Sequence, residues 1–454
     1  MIRVFITLIL VLSLAGCQKE ERPNASTQTT SGGMTYTFIQ MDDQKDISVQ
    51  IAWPTDWAWQ SGANQAVPYV GAELMLAGGA KDYPAGQVVE LFADLKARAF
   101  LSPTADHIYG QLDFEKANMD EPVKIANAHL VAPTLDETWF TRTRDGWKKR
   151  IVEETAKPET MGYNSMRWAM FGDQPLRVSL SLDAPGIFDS VTTKEIAQWH
   201  KETFTRKPDA VVVAGEISVK EANAIIDGLF AGLADGGRQM KRDAKANFAP
   251  KRILLHVPTA TTSNLSFTGQ LPPTRLGKEF EDLFLVSALG GDDQSALFTA
   301  VRTGLRATYG YSAGLGAFTR DNRFMVMSGA IETSKLAEAE KIIAKAYSDF
   351  LNTGLSGDLA PRKSTLFGGL DDNYKHCDSL AATALQALID GSDVSRPLKL
   401  KTEVEAITEG SLKERLSTAF PRPDQFVVVA VSPDANALPG ACLITRPQDA
   451  VNCK

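Results

Sequence analysis

The stretch Tyr69-Val70-Gly71-Ala72-Glu73-Leu74-Met75-Leu76-Ala77-Gly78-Gly79-Ala80 decides how this chain is read. Apolar residues surround a single charge, and taken alone Glu73 reads as a solvated or core-edge helix residue. Tyr83-Pro84-Ala85-Gly86 follows, then a helix-like run from Gln87 to Ala97, a polar turn, and Asp106-His107-Ile108-Tyr109. The five histidines are His107, His129, His200, His256 and His376, and no two are spaced i, i+3 or i, i+4 on a shared helix. His376 and Cys377 are adjacent, so on a helix they point to different faces and are poorly set to share a metal. The spacing argues against a metal centre built by this chain.

Together these segments resemble the N-terminal signature of the insulinase (pitrilysin) family of zinc peptidases, in particular its mitochondrial processing peptidase-like branch, whose chains have about this length. In that family an H-x-x-E-H helix turn supplies two imidazoles to the zinc, and its glutamate takes the proton of the bound water. The resemblance implies that Glu73 matches the catalytic glutamate, while Val70 and Leu74 stand at the two histidine positions. It also brings Glu153-Glu154 near the expected third ligand, and Phe171-Gly172-Asp173-Gln174-Pro175-Leu176 to the loop before the second half-domain. The family often carries an Asn-Ala pair on the edge strand that receives a peptide. Here the region reads Ala99-Phe100-Leu101-Ser102-Pro103, and a proline removes a ladder donor, which counts against strand addition.

The second half keeps more of the pattern. Leu289-Gly290-Gly291-Asp292-Asp293-Gln294-Ser295-Ala296-Leu297-Phe298, through Val301-Arg302 to Ala307-Thr308-Tyr309-Gly310-Tyr311-Ser312, resembles the family's C-terminal-domain signature of Gly-rich turn, helix and strand. The resemblance implies that Arg302 holds a substrate carbonyl and that Tyr309 donates its hydroxyl to the developing oxyanion. As isolated residues they would be a surface arginine and a strand tyrosine.

At the N-terminus, Arg3, an apolar run from Val4 to Leu14, and Leu14-Ala15-Gly16-Cys17 form a targeting segment too short to span a bilayer. Leu-Ala-Gly-Cys resembles the bacterial lipoprotein cleavage box, so residues 1–17 are read as a signal peptide ending at a lipidated Cys17. Gln18 at the next position favours the outer membrane of a Gram-negative cell. Residues 18–34 are polar and read as a disordered tether. The other reading of this end is an ordinary signal peptide with a cysteine near its close.

What remains, about 420 residues, suits two domains. A repeat supports the count: Thr203-Phe204-Thr205-Arg206-Lys207-Pro208-Asp209 leads into Ala210–Ala214, and Ala419-Phe420-Pro421-Arg422-Pro423-Asp424 leads into Phe426–Ala430. Each is a Pro-Asp turn before a continuous apolar run, the pattern of a strand buried on both faces. In the second half, Arg323–Ile331 reads as a strand, and Leu336, Ala339, Ile342, Ile343, Ala346, Tyr347 and Phe350 form one apolar helical face. The expected class is α+β, with domains at residues 35–236 and 251–454 joined by a linker at 237–250. Each is an antiparallel-rich sheet with helices packed on one face, and the resemblance makes the pair half of a clamshell.

Acidic residues outnumber basic ones by 55 to 48 with no basic stripe, which sets nucleic acid aside. Cys442 and Cys453 close a short loop that can pair in an oxidising compartment, leaving Cys377 as a buried thiol. The functional expectation is a non-catalytic, substrate-binding subunit of a heterodimeric zinc metallopeptidase, on the periplasmic face of a membrane. It holds no cofactor; a partner subunit with an intact H-x-x-E-H brings the zinc, Arg302 and Tyr309 act in trans, and peptides are the substrates. The alternative is a peptidase-derived binding or assembly protein with no part in proteolysis.

Overall fold

The computed structural model describes residues 23–236, 240–243, 245–308, 310–355 and 358–454. Six strands lie in the first half: β1 (Asn24–Thr29), β2 (Thr35–Gln40), β3 (Asp46–Pro54), β4 (Ala97–Pro103), β5 (His107–Glu115) and β6 (Ala210–Gly215). The second half carries β7 (Lys251–His256), β8 (Ser263–Leu271), β9 (Ser312–Ala317), β10 (Arg323–Ile331), β11 (Val427–Ser432) and β12 (Cys442–Ile444). The first-half helices are α1 (Val67–Ala77), α2 (Val88–Asp94), α3 (Asp120–Val131), α4 (Glu137–Thr155), α5 (Pro158–Phe171), α6 (Pro175–Ser181), α7 (Thr193–Thr203) and α8 (Val219–Phe230). Those of the second are α9 (Glu279–Gly290), α10 (Leu336–Thr353), α11 (Ala360–Asn373), α12 (Cys377–Ile389), α13 (Leu400–Glu405) and α14 (Glu409–Ala419).

The two sheets have matching orders, β1-β2-β6-β3-β5-β4 and β12-β7-β11-β8-β10-β9. The repeated phrases fall on equivalent interior strands, β6 and β11, each buried along its whole length. β6 runs parallel to β2, as β11 does to β7, and both are antiparallel to their other neighbours, β3 and β8. The sixth strand differs. In the first sheet it comes from upstream, as β1 antiparallel to β2; in the second it comes from the C-terminus, as β12 parallel to β7.

Asn24–Thr29, expected within a disordered tether, is instead the edge strand β1. Ladder hydrogen bonds are made by the main chain, so a polar segment can join an edge without burying its side chains. A tight turn brings it there: the Gly33 N–H donates to the Thr30 carbonyl at 3.0 Å and the Thr30 N–H to the Met34 carbonyl at 2.9 Å. The helix-like run from Gln87 also stops sooner, at Asp94; Lys96 turns left-handed (φ 50°) and Ala97 opens β4.

Alternation along the central strands feeds two cores per sheet. Val211 and Val213 of β6 face α1, α3, α7 and α8 across a core that includes Trp53, Val70, Leu74 and Trp199. Ala210, Val212 and Ala214 face the other way, onto Leu380, Ala381, Ala384 and Leu385 of α12, a helix of the second half. The second sheet does the reverse: Val428 and Ala430 face its own helices, whereas Val427, Val429 and Val431 pack with Met166, Ala169 and Met170 of α5. Gly162 permits the close approach of α5, since a Cβ there would lie 3.0 Å from Val431 Cγ2. Beyond the helices on one face, then, each sheet is covered on its other face by one helix of the opposite half.

Asp282, fully buried in α9, accepts from Arg415 of α14 through Nε (2.7 Å) and Nη2 (2.9 Å), and also from Arg323 of β10. Three elements meet at one carboxylate. Asp282→Asn leaves two guanidinium groups without their counter-charge, and unfolding in denaturant is expected to show a loss of about 3–5 kcal/mol.

Candidate functional site

The helix α1 begins with proline in its first turn and packs Val70 and Leu74, both fully buried, into the first core. Gly71 is required by the neighbour beneath it, because a Cβ there would meet the Trp199 ring at 2.7 Å. The two positions expected to match ligand histidines thus carry hydrocarbon that faces the core. Glu73 lies on the outer side of the same turn, and its Oε2 accepts from Arg150 Nη2 of α4 at 2.9 Å. Arg150 in turn stacks over Trp147, 4.3 Å from guanidinium carbon to ring centroid, and Trp147 meets the Tyr69 ring edge-on at 5.6 Å.

Sequence reasoning missed Arg150. Glu153 and Glu154, expected near the third ligand, are instead exposed and lie near Lys149 (3.9 Å) and Lys157 (2.5 Å) respectively. The residue of α4 that reaches Glu73 is one helical turn earlier and carries the opposite charge. Only the run Trp147-Lys148-Lys149-Arg150 hinted at it, and nothing local tied that run to Glu73. Replacing Val70 and Leu74 together by histidine buries two imidazoles among the hydrocarbon of the first core. Such a variant is expected to lose on the order of 1–3 kcal/mol for each ring and to show no rise in melting temperature with added zinc.

A groove of about 550 Å³ runs between α1, α2, β4 and Trp147. Its floor is apolar, with Ala72, Leu76, Val88, Phe92, Ala99 and Leu101, and Glu73 and Arg98 are its charged members. β4 ends the strand order of its sheet, so its outer edge has no strand partner among the described residues. The Thr104 N–H donates to the His107 carbonyl at 2.8 Å, closing the β4–β5 hairpin. Counting back through the register, Ser102, Phe100 and Arg98 bond toward β5, whereas the main-chain groups of Leu101 and Ala99 turn away from the sheet. Pro103 also belongs to that outward row, but it is the last residue of the strand. Its missing donor shortens the open edge and leaves the segment beside α1 intact.

In the second half, Gly290 ends α9 where a Cβ would lie 2.3 Å from the Ala313 N, so the Gly-rich turn allows α9 to touch β9. Arg302 lies on the helical segment Phe298–Gly304 that follows. Tyr309 falls outside the described residues, as does Cys17, so no geometry joins Tyr309 to Arg302. Cys442 and Cys453 are joined as a disulfide across eleven positions, fastening β12 to the turn that packs on α5. Cys377 is free and buried at the start of α12, and burial pushes its thiol up to about 12.

Each histidine stands apart. His107 Nε2 bonds Asp209 at 2.9 Å and His256 Nε2 donates to the Pro433 carbonyl at 3.1 Å, while His376 precedes α12. His129 Nδ1 donates to the Ile125 carbonyl (2.8 Å) and His200 Nε2 to the Leu130 carbonyl (2.7 Å). Among the described residues, no three His, Cys, Asp or Glu side chains converge so as to hold a metal ion. Burial holds His129 and His200 below the ordinary value of 6.5, against the opposing effect of their backbone hydrogen bonds. Their contribution to stability is present above pH 6.5, where both states are neutral, and is lost as the pH falls through the lowered folded values. The melting temperature is therefore expected to drop between about pH 7 and pH 5, and His129→Gln with His200→Gln should flatten that dependence.

Residues 190–359 match the family model described as the peptidase M16 inactive domain. No curated protein sequence matches the chain. The crystal structure of a peptidase M16 inactive domain from Pseudomonas fluorescens superimposes with a TM-score of 0.79 at 15% identity, over 90% of this chain and 98% of that one. The first half of the periplasmic protease PqqL from Escherichia coli gives 0.71 at 14% identity, over 94% of this chain and 96% of that one. Pitrilysin gives 0.66 at 13% identity, over 92% of this chain and 45% of that one. The architecture is that of a peptidase clamshell half. Over residues 190–359 the chain is thus similar to the inactive domain of the M16 (insulinase) family, and its fold is that of the M16 structures.

Proposed function

We propose that the chain is the non-catalytic, peptide-binding subunit of a two-chain insulinase-family zinc metallopeptidase. The observation that carries this reading lies on α1: Val70 and Leu74 are buried in the core and its groove-facing side, Tyr69, Ala72, Glu73 and Leu76, carries no histidine, yet the groove, with the β4 edge beside it, persists. A chain with that combination can hold an extended peptide by strand addition and cannot activate water on a metal at this turn. The zinc belongs to a partner subunit with an intact H-x-x-E-H. Arg302 and Tyr309 are offered to that partner's active site, where a carbonyl and a developing oxyanion need donors. Lipidated Cys17 tethers the chain to the periplasmic face of a bacterial membrane, and the periplasmic protease PqqL, whose first half shares this fold, is a precedent for the compartment.

The test uses the full chain, alone and mixed with a zinc-bearing relative encoded beside it. Peptide hydrolysis is expected only from the mixture, with Arg302→Ala and Tyr309→Phe each lowering turnover by about tenfold or more while co-elution is retained. Chelator-sensitive hydrolysis by this chain alone would refute the proposal. If the partner's hydrolysis proves indifferent to this chain, a binding or assembly role outside proteolysis takes its place.

A further inference from the structure

Arg150 occupies a singular position. It sits on α4 at the rim of the groove, held by two residues that line it: Glu73 accepts from Nη2, and Trp147 stacks under the guanidinium plane. The platform is itself fixed, because Trp147 packs edge-on to Tyr69, whose hydroxyl donates to the Ser179 carbonyl at 3.0 Å. The other arginine of the groove, Arg98, is already committed to two carboxylates, Asp113 and Asp378, at 2.7 Å each. Among the described residues, Arg150 has one carboxylate partner, through one nitrogen. Both members of that pair are about half exposed (52% and 43%), so the contact is weak and exchangeable.

We infer that Arg150 is a specificity residue of the groove, and that the favoured ligand is an extended peptide carrying a carboxylate opposite it. The inference rests on the reading of the groove as a peptide site and names the chemistry of its ligand. A planar guanidinium has five N–H donors in a rigid fork that matches a carboxylate two-pronged. Glu73 uses one prong and leaves the rest for a ligand, while Trp147 holds the plane in place and reduces the freedom lost on binding. Arg150 thus holds a guanidinium, oriented by Trp147, beside residues that line the groove. A carboxylate can come from an acidic side chain or from the peptide's own C-terminus, and the same fork serves both.

The experiment measures binding of fluorescently labelled octapeptides of valine, leucine and threonine to the full chain by anisotropy. The peptides carry a free or an amidated C-terminus, and an internal glutamate or glutamine. Peptides with a carboxylate are expected to bind about tenfold tighter than their neutral counterparts, the worth of one charge-assisted contact. Whether the preference follows the terminus or the glutamate tells which source is used. Arg150→Gln should abolish the preference, Arg150→Lys should restore part of it, and Glu73→Gln, which removes the internal competitor, should enlarge it. Because Arg150 is exposed, these variants leave the core untouched, and a melting curve checks that they fold. Equal binding of charged and neutral peptides, or a preference that survives Arg150→Gln, overturns the inference while leaving the groove a peptide site. Failure of every peptide to bind overturns the peptide reading itself, and the inference with it.

Discussion

A sheet with two apolar faces must be covered twice, and each sheet of this protein borrows its second cover from the other half. β6 turns Val211 and Val213 to its own helices but Ala210, Val212 and Ala214 to α12; β11 turns Val427, Val429 and Val431 to α5. At about 25 cal/mol per Å² of apolar surface, an uncovered face of six strands would be costly to expose. The reciprocal exchange explains why the two repeats form one body rather than two beads.

That exchange also builds the groove. α4 ends at Thr155 and α5 begins at Pro158, so the helix that carries Trp147 and Arg150 runs directly into the helix docked on the second sheet. The wall of a first-half site is therefore anchored in the second half. On the opposite wall, Arg98 of β4 bonds Asp378 at the start of α12. Both borrowed helices hold a side of the same cleft.

Within this frame the α1 turn is organised by packing. Val70 and Leu74 belong to the first core, and Glu73, on the outer side of the turn, meets a guanidinium. The positive charge at the site is organic and fixed to the chain. It can bind a carboxylate, but it cannot lower the pKa of water as a zinc ion does.

How much was legible beforehand follows from how each signal is carried. Local periodicity identified β6, β11, β10 and α10 nearly to the residue, because two-sided burial and a 3.6-residue apolar stripe are written in neighbouring side chains. The absence of histidines from the α1 turn was equally plain, as was the pairing capacity of Cys442 and Cys453. β1 escaped because ladder bonds leave no mark on a polar sequence. The Glu73 partner escaped for a related reason: Arg150 lies 77 positions away, and only the packing of α4 on α1 joins them. The sequence by itself determined the repeat, its buried strands β6 and β11, the strand β10, the apolar stripe of α10 and the lack of histidines in the α1 turn, since these depend on residue type and spacing alone. The tertiary structure decided which helix covers which sheet, that β4 has no outer strand partner among the described residues, and that an arginine reaches Glu73 on the α1 turn, because each of these is settled by how distant segments meet when both sheet faces are buried.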